Sequence, residues 1–157
     1  MAQDMVAAAP LRFELTTFLE GRTTAWGIFE DRFGRLRRRF EVEMNGRWHG
    51  AEFHLDESFL YDTGEREHRT WIITPLGGGH FKASCADCVG AASGQSDHQC
   101  IRMRYRFRLQ LASRAITVAF DDRIYRMNDD MAVNRATMRK WGIKLGELSL
   151  FFRRDLA

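Results

Sequence analysis

The sequence predicts an all-β protein: an antiparallel meander of about nine or ten strands closed into a β-barrel, with one short N-terminal helix. Three observations carry this. Apolar and polar residues alternate with period two in one segment after another. Short turn signals separate those segments. Crossover helices are almost absent between them, so neighbouring strands pair as hairpins. A two-sheet sandwich is the alternative. A barrel is preferred because closure removes exposed edges.

The elements follow in chain order. Residues 15–19 read as a short helix ended by Gly21. In residues 36–44, Leu36, Arg38, Phe40, Val42 and Met44 share one face, and Arg37, Arg39, Glu41 and Glu43 the other. Asn45-Gly46 then reads as a type I′ hairpin turn, because both residues tolerate positive φ. The next strand spans residues 47–55, with Ala51, Phe53 and Leu55 on one face. Asp62-Thr63-Gly64 is a turn, and residues 69–74 form a strand stopped by Pro75 and Gly77-Gly78-Gly79. Residues 80–84 are short and extended, and residues 90–96 read as a loop or distorted strand. Residues 101–111 give the clearest alternation: Ile101, Met103, Tyr105, Phe107, Leu109 and Leu111 against Arg102, Arg104, Arg106 and Arg108. Ser113-Arg114 turns the chain, and Ile116, Val118 and Phe120 continue one face. Asn128-Asp129-Asp130 turns it again, and residues 131–138 and 147–153 complete the set.

The chain has 157 residues, 45% of them hydrophobic, which suits one domain with a buried core. The expected division is an N-terminal extension over 1–14 and a single barrel over 15–157. A net charge of +3, from 24 basic and 21 acidic residues, permits an anionic partner without demanding one. Residues 1–157 hold no apolar run of transmembrane length. The patch Met5-Val6-Ala7-Ala8-Ala9 is too short for a signal-peptide core and lacks a basic segment before it. Three cysteines are an odd count for a secreted disulfide framework. A cytoplasmic, soluble protein is expected.

Several stretches resemble a known family: Phe18-Leu19-Glu20-Gly21, Ala25-Trp26-Gly27-Ile28-Phe29-Glu30-Asp31-Arg32-Phe33-Gly34, Phe120-Asp121-Asp122, Asn134-Arg135-Ala136-Thr137-Met138, Gly142, Leu145-Gly146-Glu147 and Phe151-Phe152-Arg153. They are similar to a proteobacterial family of small β-rich proteins of unknown function, from about residue 15 to 154. The resemblance implies a lipocalin-like, calycin-type barrel. It carries no established activity. Many members resemble envelope lipoproteins, a pattern from which this chain departs in lacking the signal segment and lipid-bearing cysteine. Members encoded beside enzymes that modify fatty-acyl phospholipids imply a link to membrane-lipid modification.

Candidate chemistry is sparse. Cys85, Cys88, His98 and Cys100, with His80, have the residue types that zinc prefers. Their spacing is poor, so small buried thiols beside a loop are preferred, and neither metal nor cofactor is expected. Gly77-Gly78-Gly79 precedes no helix and makes a weak phosphate loop. Polar residues on apolar faces say more: Arg38 shares the parity of Phe40 and Val42, and Asp122 that of Val118 and Phe120. Either both face the lumen, where they pair or line a cavity, or bulges turn them outward. Interior pairing of Arg38 with Asp122 is the expectation. With Trp26, Phe40, Tyr105, Phe107, Phe120 and Arg135 they form the expected ligand site. The expected function is non-catalytic binding of a small apolar or fatty-acyl ligand, Arg38 receiving a carboxylate head. The alternatives are a structural or interaction barrel with a packed lumen, and an enzyme acting on a lipid-like substrate. The rows Arg35, Arg37, Arg39 and Arg102, Arg104, Arg106, Arg108 alternate with buried aromatics, so nucleic acid is not an expected partner. The same rows suit peripheral contact with an anionic membrane.

Overall fold

Period-two alternation becomes an inward and an outward face along each long strand of the computed structural model, which describes residues 12–155. The order is α1 (Leu15–Leu19), β1 (Gly21–Asp31), β2 (Leu36–His49), β3 (Glu52–Tyr61), β4 (Arg66–Gly77), β5 (His80–Ser84), β6 (Ala92–Ser96), β7 (Cys100–Gln110), β8 (Ala115–Arg126), β9 (Met131–Lys140) and β10 (Ile143–Arg154). Each strand pairs antiparallel with its sequence neighbour, and β1 pairs with β10 from Thr23↔Arg154 to Asp31↔Gly146 to close the barrel. No helix among the described residues is long and apolar enough to cross a membrane.

The wall closes because small residues on some strands seat large ones on others. On β1 the inward positions are Thr23, Ala25 and Gly27. A Cβ at Gly27 would strike the Phe40 ring of β2 and Leu150 of β10. Gly94 on β6 seats Phe81 of β5, and Gly146 on β10 seats Phe29 of β1, in the same way. Small inward residues also explain why the sequence gives no strand signal over β1: on the buried face apolar bulk appears only at Phe29, near the end of the strand. The short strand β6, Ala-Ser-Gly-Gln-Ser, is built on the same principle.

One end of the barrel is plugged. Phe13 donates its backbone N–H to the Asp97 carbonyl at 2.7 Å and is 3% exposed. Its ring meets Phe18 edge-on at 5.3 Å, and Phe18 meets Phe152 at 6.5 Å. Leu15, Phe18 and Leu19 of α1 are buried. Residue 13, assigned by the sequence to an extension, thus belongs to the plug; the Met5–Ala9 patch lies outside the described residues. The other rim carries the turns β1–β2, β3–β4, β7–β8 and β9–β10. There β5 and β6 are too short to complete the wall, and residues 85–91 fill the gap. Val89 N–H donates to the Arg106 carbonyl at 2.9 Å, and Arg108 N–H to the Asp87 carbonyl at 2.8 Å.

Asn45-Gly46 is not a turn. Both residues lie within β2, opposite Asp56 and Leu55 of β3, and the chain reverses at Gly50-Ala51. Gly46 is there for its missing Cβ: the Leu19 carbonyl and the Phe53 ring occupy that space. Pro75 does not stop β4, which continues through a bulge to Gly77. The substitution Gly46→Ala is expected to destabilise the fold by about 1–3 kcal/mol through overpacking, measured as a lower urea midpoint. An unchanged midpoint would show that α1 yields without cost.

Candidate functional site

Inward positions on β3 and β4 place charge inside the barrel. On β3 they read Phe53, Leu55, Glu57, Phe59 and Tyr61; on β4, Glu67, Arg69, Trp71 and Ile73. Glu57 and Arg69 face each other across the β3–β4 ladder. Arg69 Nη2 donates to Glu67 Oε1 at 2.8 Å, and its Nε lies 3.8 Å from Asp87, beyond hydrogen-bond reach. The guanidinium carbon sits 5.0 Å from the Phe59 ring centre and 4.6 Å from that of Phe107. Towards the rim the chain of contacts continues. Tyr61 Oη donates to Glu67 Oε2 at 2.7 Å, and Arg38 lies over the Tyr61 ring at 3.7 Å. Arg38 Nη2 closes the series on Glu65 Oε2 at 2.8 Å.

Deeper in, these groups border a cavity of about 130 Å³. Phe40, Met44, Leu55, Phe59, Trp71 and Met103 form much of its apolar wall, and Glu57, Arg69, Tyr105, Asp122 and Asn134 its polar side. Asp122 is 6% exposed. Tyr105 Oη donates to Asp122 Oδ2 at 3.2 Å, while Asp122 Oδ1 and Asn134 Oδ1 are buried acceptors without a partner. Towards the rim, Phe107, Val118, Phe120, Ala136 and Met138 pack as a second apolar cluster, which Tyr105 joins to the cavity wall.

Burial governs the titration of this site. It pushes Glu57 up to about 7; Arg69 opposes the shift, and the charges of Cys85 and Glu67 add to it. It pushes Asp122 up to about 7 as well, against the Tyr105 hydrogen bond and with help from the charge of Glu57. Burial, then the charge of Asp122, holds the Tyr105 hydroxyl well above its ordinary range. Two carboxyls poised near neutrality can hold or exchange a proton.

A thiol pair lies beside them. Cys85 Sγ and Cys88 Sγ are 2.9 Å apart. The Cys88 thiol, donating to Cys85, is the main cause that brings Cys85 down to about 7; Cys88 is pushed up. His80 opens β5, Cys100 opens β7 and His98 lies on the β6–β7 connection, all at the plugged end. The five zinc-type residues are therefore not assembled. Among the described residues no group of three or more His, Cys, Asp or Glu is placed to hold a metal ion.

The structure brings together Phe40, Tyr105 and Asp122 of the expected ligand site. Phe107 and Phe120 lie in the second cluster, with Phe120 stacked on Tyr105 at 5.2 Å. Arg38 has the expected inward parity but stands at the rim, paired with Glu65, so it is not the partner of Asp122. Trp26 and Arg135 face outward rather than into the lumen. Trp26 lies against Phe151 and under Arg153, and Arg135 pairs with Glu147 at 2.8 Å. Sequence reasoning missed Glu57, Glu67, Arg69 and Asn134. The signal was present for the first three, which share the parity of Leu55, Phe59, Trp71 and Ile73.

Residues 2–154 match the family described as protein of unknown function, DUF3833. No curated protein matches the sequence. The fold is similar to an S-type phycobiliprotein lyase, CPES, from Guillardia theta, with TM-score 0.63 and 8% identity over 90% of this chain and 91% of that one. It is also similar to a protein of unknown function from the DUF3598 family of Nostoc punctiforme, with TM-score 0.66 and 14% identity. That match covers 95% of this chain but 53% of the other, so the present chain spans about half its length.

Glu57 and Asp122 titrate higher folded than unfolded, so between the ordinary carboxylate range, about 4, and about 7 the folded state binds more protons. Stability is expected to fall as pH rises through that window, and Glu57→Gln or Asp122→Asn to flatten the fall in urea melts. A slope identical in both variants and the parent would contradict it. Arg69→Leu strands the facing carboxylates and is expected to cost about 3–5 kcal/mol above that window, and less below it. A loss independent of pH would show packing alone.

Proposed function

We propose that this protein, which belongs to the DUF3833 family of proteins of unknown function, is a non-catalytic binding barrel. Its lumen takes a small ligand with an apolar body, ring or acyl, and a polar end that donates hydrogen bonds. The observation that carries this reading is the pair of buried acceptors, Asp122 Oδ1 and Asn134 Oδ1, left without partners beside an apolar-walled cavity. An unsatisfied buried acceptor costs about 1–3 kcal/mol, which a donor in the cavity recovers.

Electrostatics selects the head group. Glu57, Glu67 and Asp87 surround one guanidinium, that of Arg69, and Asp122 adds a fourth carboxyl on the cavity wall. Once ionised they repel a carboxylate, and they favour a cation or a neutral donor. Arg38, engaged with Glu65 at the rim, is not free to receive an acid head deep in the lumen. Size limits the seated portion: a cavity of about 150 Å³ accepts benzene, and this one is about 130 Å³. A phycobiliprotein lyase is built on a barrel of similar fold, and the small-ligand reading is in keeping with that use of the fold. A second reading, a barrel packed for stability alone, is favoured by the apolar cluster around Phe107 and Phe120.

Benzylamine, toluene and benzoate, titrated into the protein and followed by NMR at neutral pH, separate the readings. Benzylamine is expected to saturate with shifts at Asn134 and Asp122, toluene to bind more weakly, and benzoate not at all. Asp122→Asn is expected to weaken benzylamine about tenfold, the size of a charged hydrogen bond. Native mass spectrometry of purified protein is expected to reveal a retained small molecule. No saturable shift with benzylamine and no retained molecule would leave the packed barrel standing.

A further inference from the structure

Three hairpins on the rim away from α1 thrust apolar side chains into solvent. Phe33 is 69% exposed and Leu36 55% at the β1–β2 connection, Leu111 43% after β7, and Trp141 88% and Ile143 55% between β9 and β10. In the barrel these hairpins are consecutive, running β2–β1–β10–β9–β8–β7. The same stretches carry Arg32, Arg35, Arg114, Lys140 and Lys144. Arg32 lies 4.7 Å from the Phe33 ring centre and Lys140 4.6 Å from the Trp141 ring, so cation and aromatic tip travel together. Of the acids beside this patch, Asp31 is taken by Arg37 at 2.7 Å, and Glu147 by Arg135 at 2.8 Å and Lys144 at 3.1 Å, which leaves Arg32, Arg35 and Arg114 as its main cations. Asp62 and Glu65 belong to the adjoining β3–β4 turn, outside it.

Trp141 adds an independent sign. It is a non-glycine residue at positive φ, 52°, followed by Gly142 at 75°, in a two-residue turn that favours Asn or Gly at its first position. A bulky indole held there in solvent adds strain and gains nothing in burial, which directs attention to a use outside the fold.

We propose that this rim docks on an anionic lipid bilayer. Trp141, Phe33 and their neighbours enter the interface, and the adjacent arginines and lysines meet headgroup phosphates. Separate prongs around a barrel mouth suit a fluid bilayer, which needs no matching relief; a protein partner needs a complementary surface, and single-stranded nucleic acid a continuous stacking platform. Docking would turn the mouth, with Arg38 and Tyr61, toward the lipid. The proposal rests on the outer rim and stands whatever the lumen binds.

Flotation of the protein with phosphatidylcholine vesicles, with and without phosphatidylglycerol, tests it. Binding is expected only with phosphatidylglycerol and is expected to weaken as salt rises. Each charge removed in Arg32→Gln and Arg35→Gln is expected to cost about fivefold. Trp141→Gly is expected to weaken binding while the thermal midpoint holds or rises, since glycine relieves the turn. Leu76→Ser with Met127→Ser, at the plugged end, is expected to leave binding unchanged. The proposal is overturned by no flotation with phosphatidylglycerol, by equal flotation on neutral vesicles, or by a Trp141→Gly protein that binds as well as the parent. Salt-sensitive binding to single-stranded RNA without vesicle binding would overturn it too.

Discussion

The lumen is organised around one buried cation. A guanidinium inside a barrel is tolerated only where charge and hydrogen bonds replace its water. Arg69 finds them in Glu67 at 2.8 Å, in Glu57 across the ladder, in Asp87 and on the faces of Phe59 and Phe107. These partners come from β3, β4, the segment 85–91 and β7, the elements that meet where β5 and β6 run short. The charge that is costly to bury thereby ties the weakest part of the wall. It also sets the chemistry nearby, restraining the upward shift of Glu57 and helping to lower Cys85.

Much of this architecture is readable in the sequence because a barrel strand repeats one rule many times. The helix over 15–19 and the strand over 80–84 coincide with α1 and β5, and β7 needs only the alternation of Met103 and Phe107 with its arginines. Reading fails where small residues carry the information. A glycine has two uses, positive φ and absent bulk, and Asn45-Gly46 looks like the first while serving the second. The turn at Trp141-Gly142 hides for the opposite reason, since tryptophan is not a residue that signals positive φ.

The site was half legible for a similar reason: parity gives the face of a strand and not the height along it. Arg38 and Asp122 do share an interior parity. Asp122 lies level with Met103 and Ala136 in mid-barrel, whereas Arg38 stands beside Phe29 next to a bulge at the rim. Height depends on register around the whole closed sheet, which no single strand encodes. Glu57 and Glu67 carry the same parity signal as Asp122 but lie outside the bounds that the turn assignments give their strands, whereas Arg69 opens the expected strand over 69–74.

Asp122 is the residue the fold explains least. Its neighbours across the ladder, Met103 and Ala136, are apolar, and its Oδ1 has no donor. Replacing buried ionic groups by well-packed apolar ones is often neutral or stabilising, so a barrel that served only its own stability would gain from an apolar residue here. Arg69 is different: its Nε also lacks a hydrogen-bond partner, but its charge is met by Glu57 and Glu67, and its loss would strand them. The two buried charges thus divide the lumen by role. Arg69 belongs to the wall, whereas Asp122, with Asn134 beside the same cavity, presents acceptors that the wall does not use.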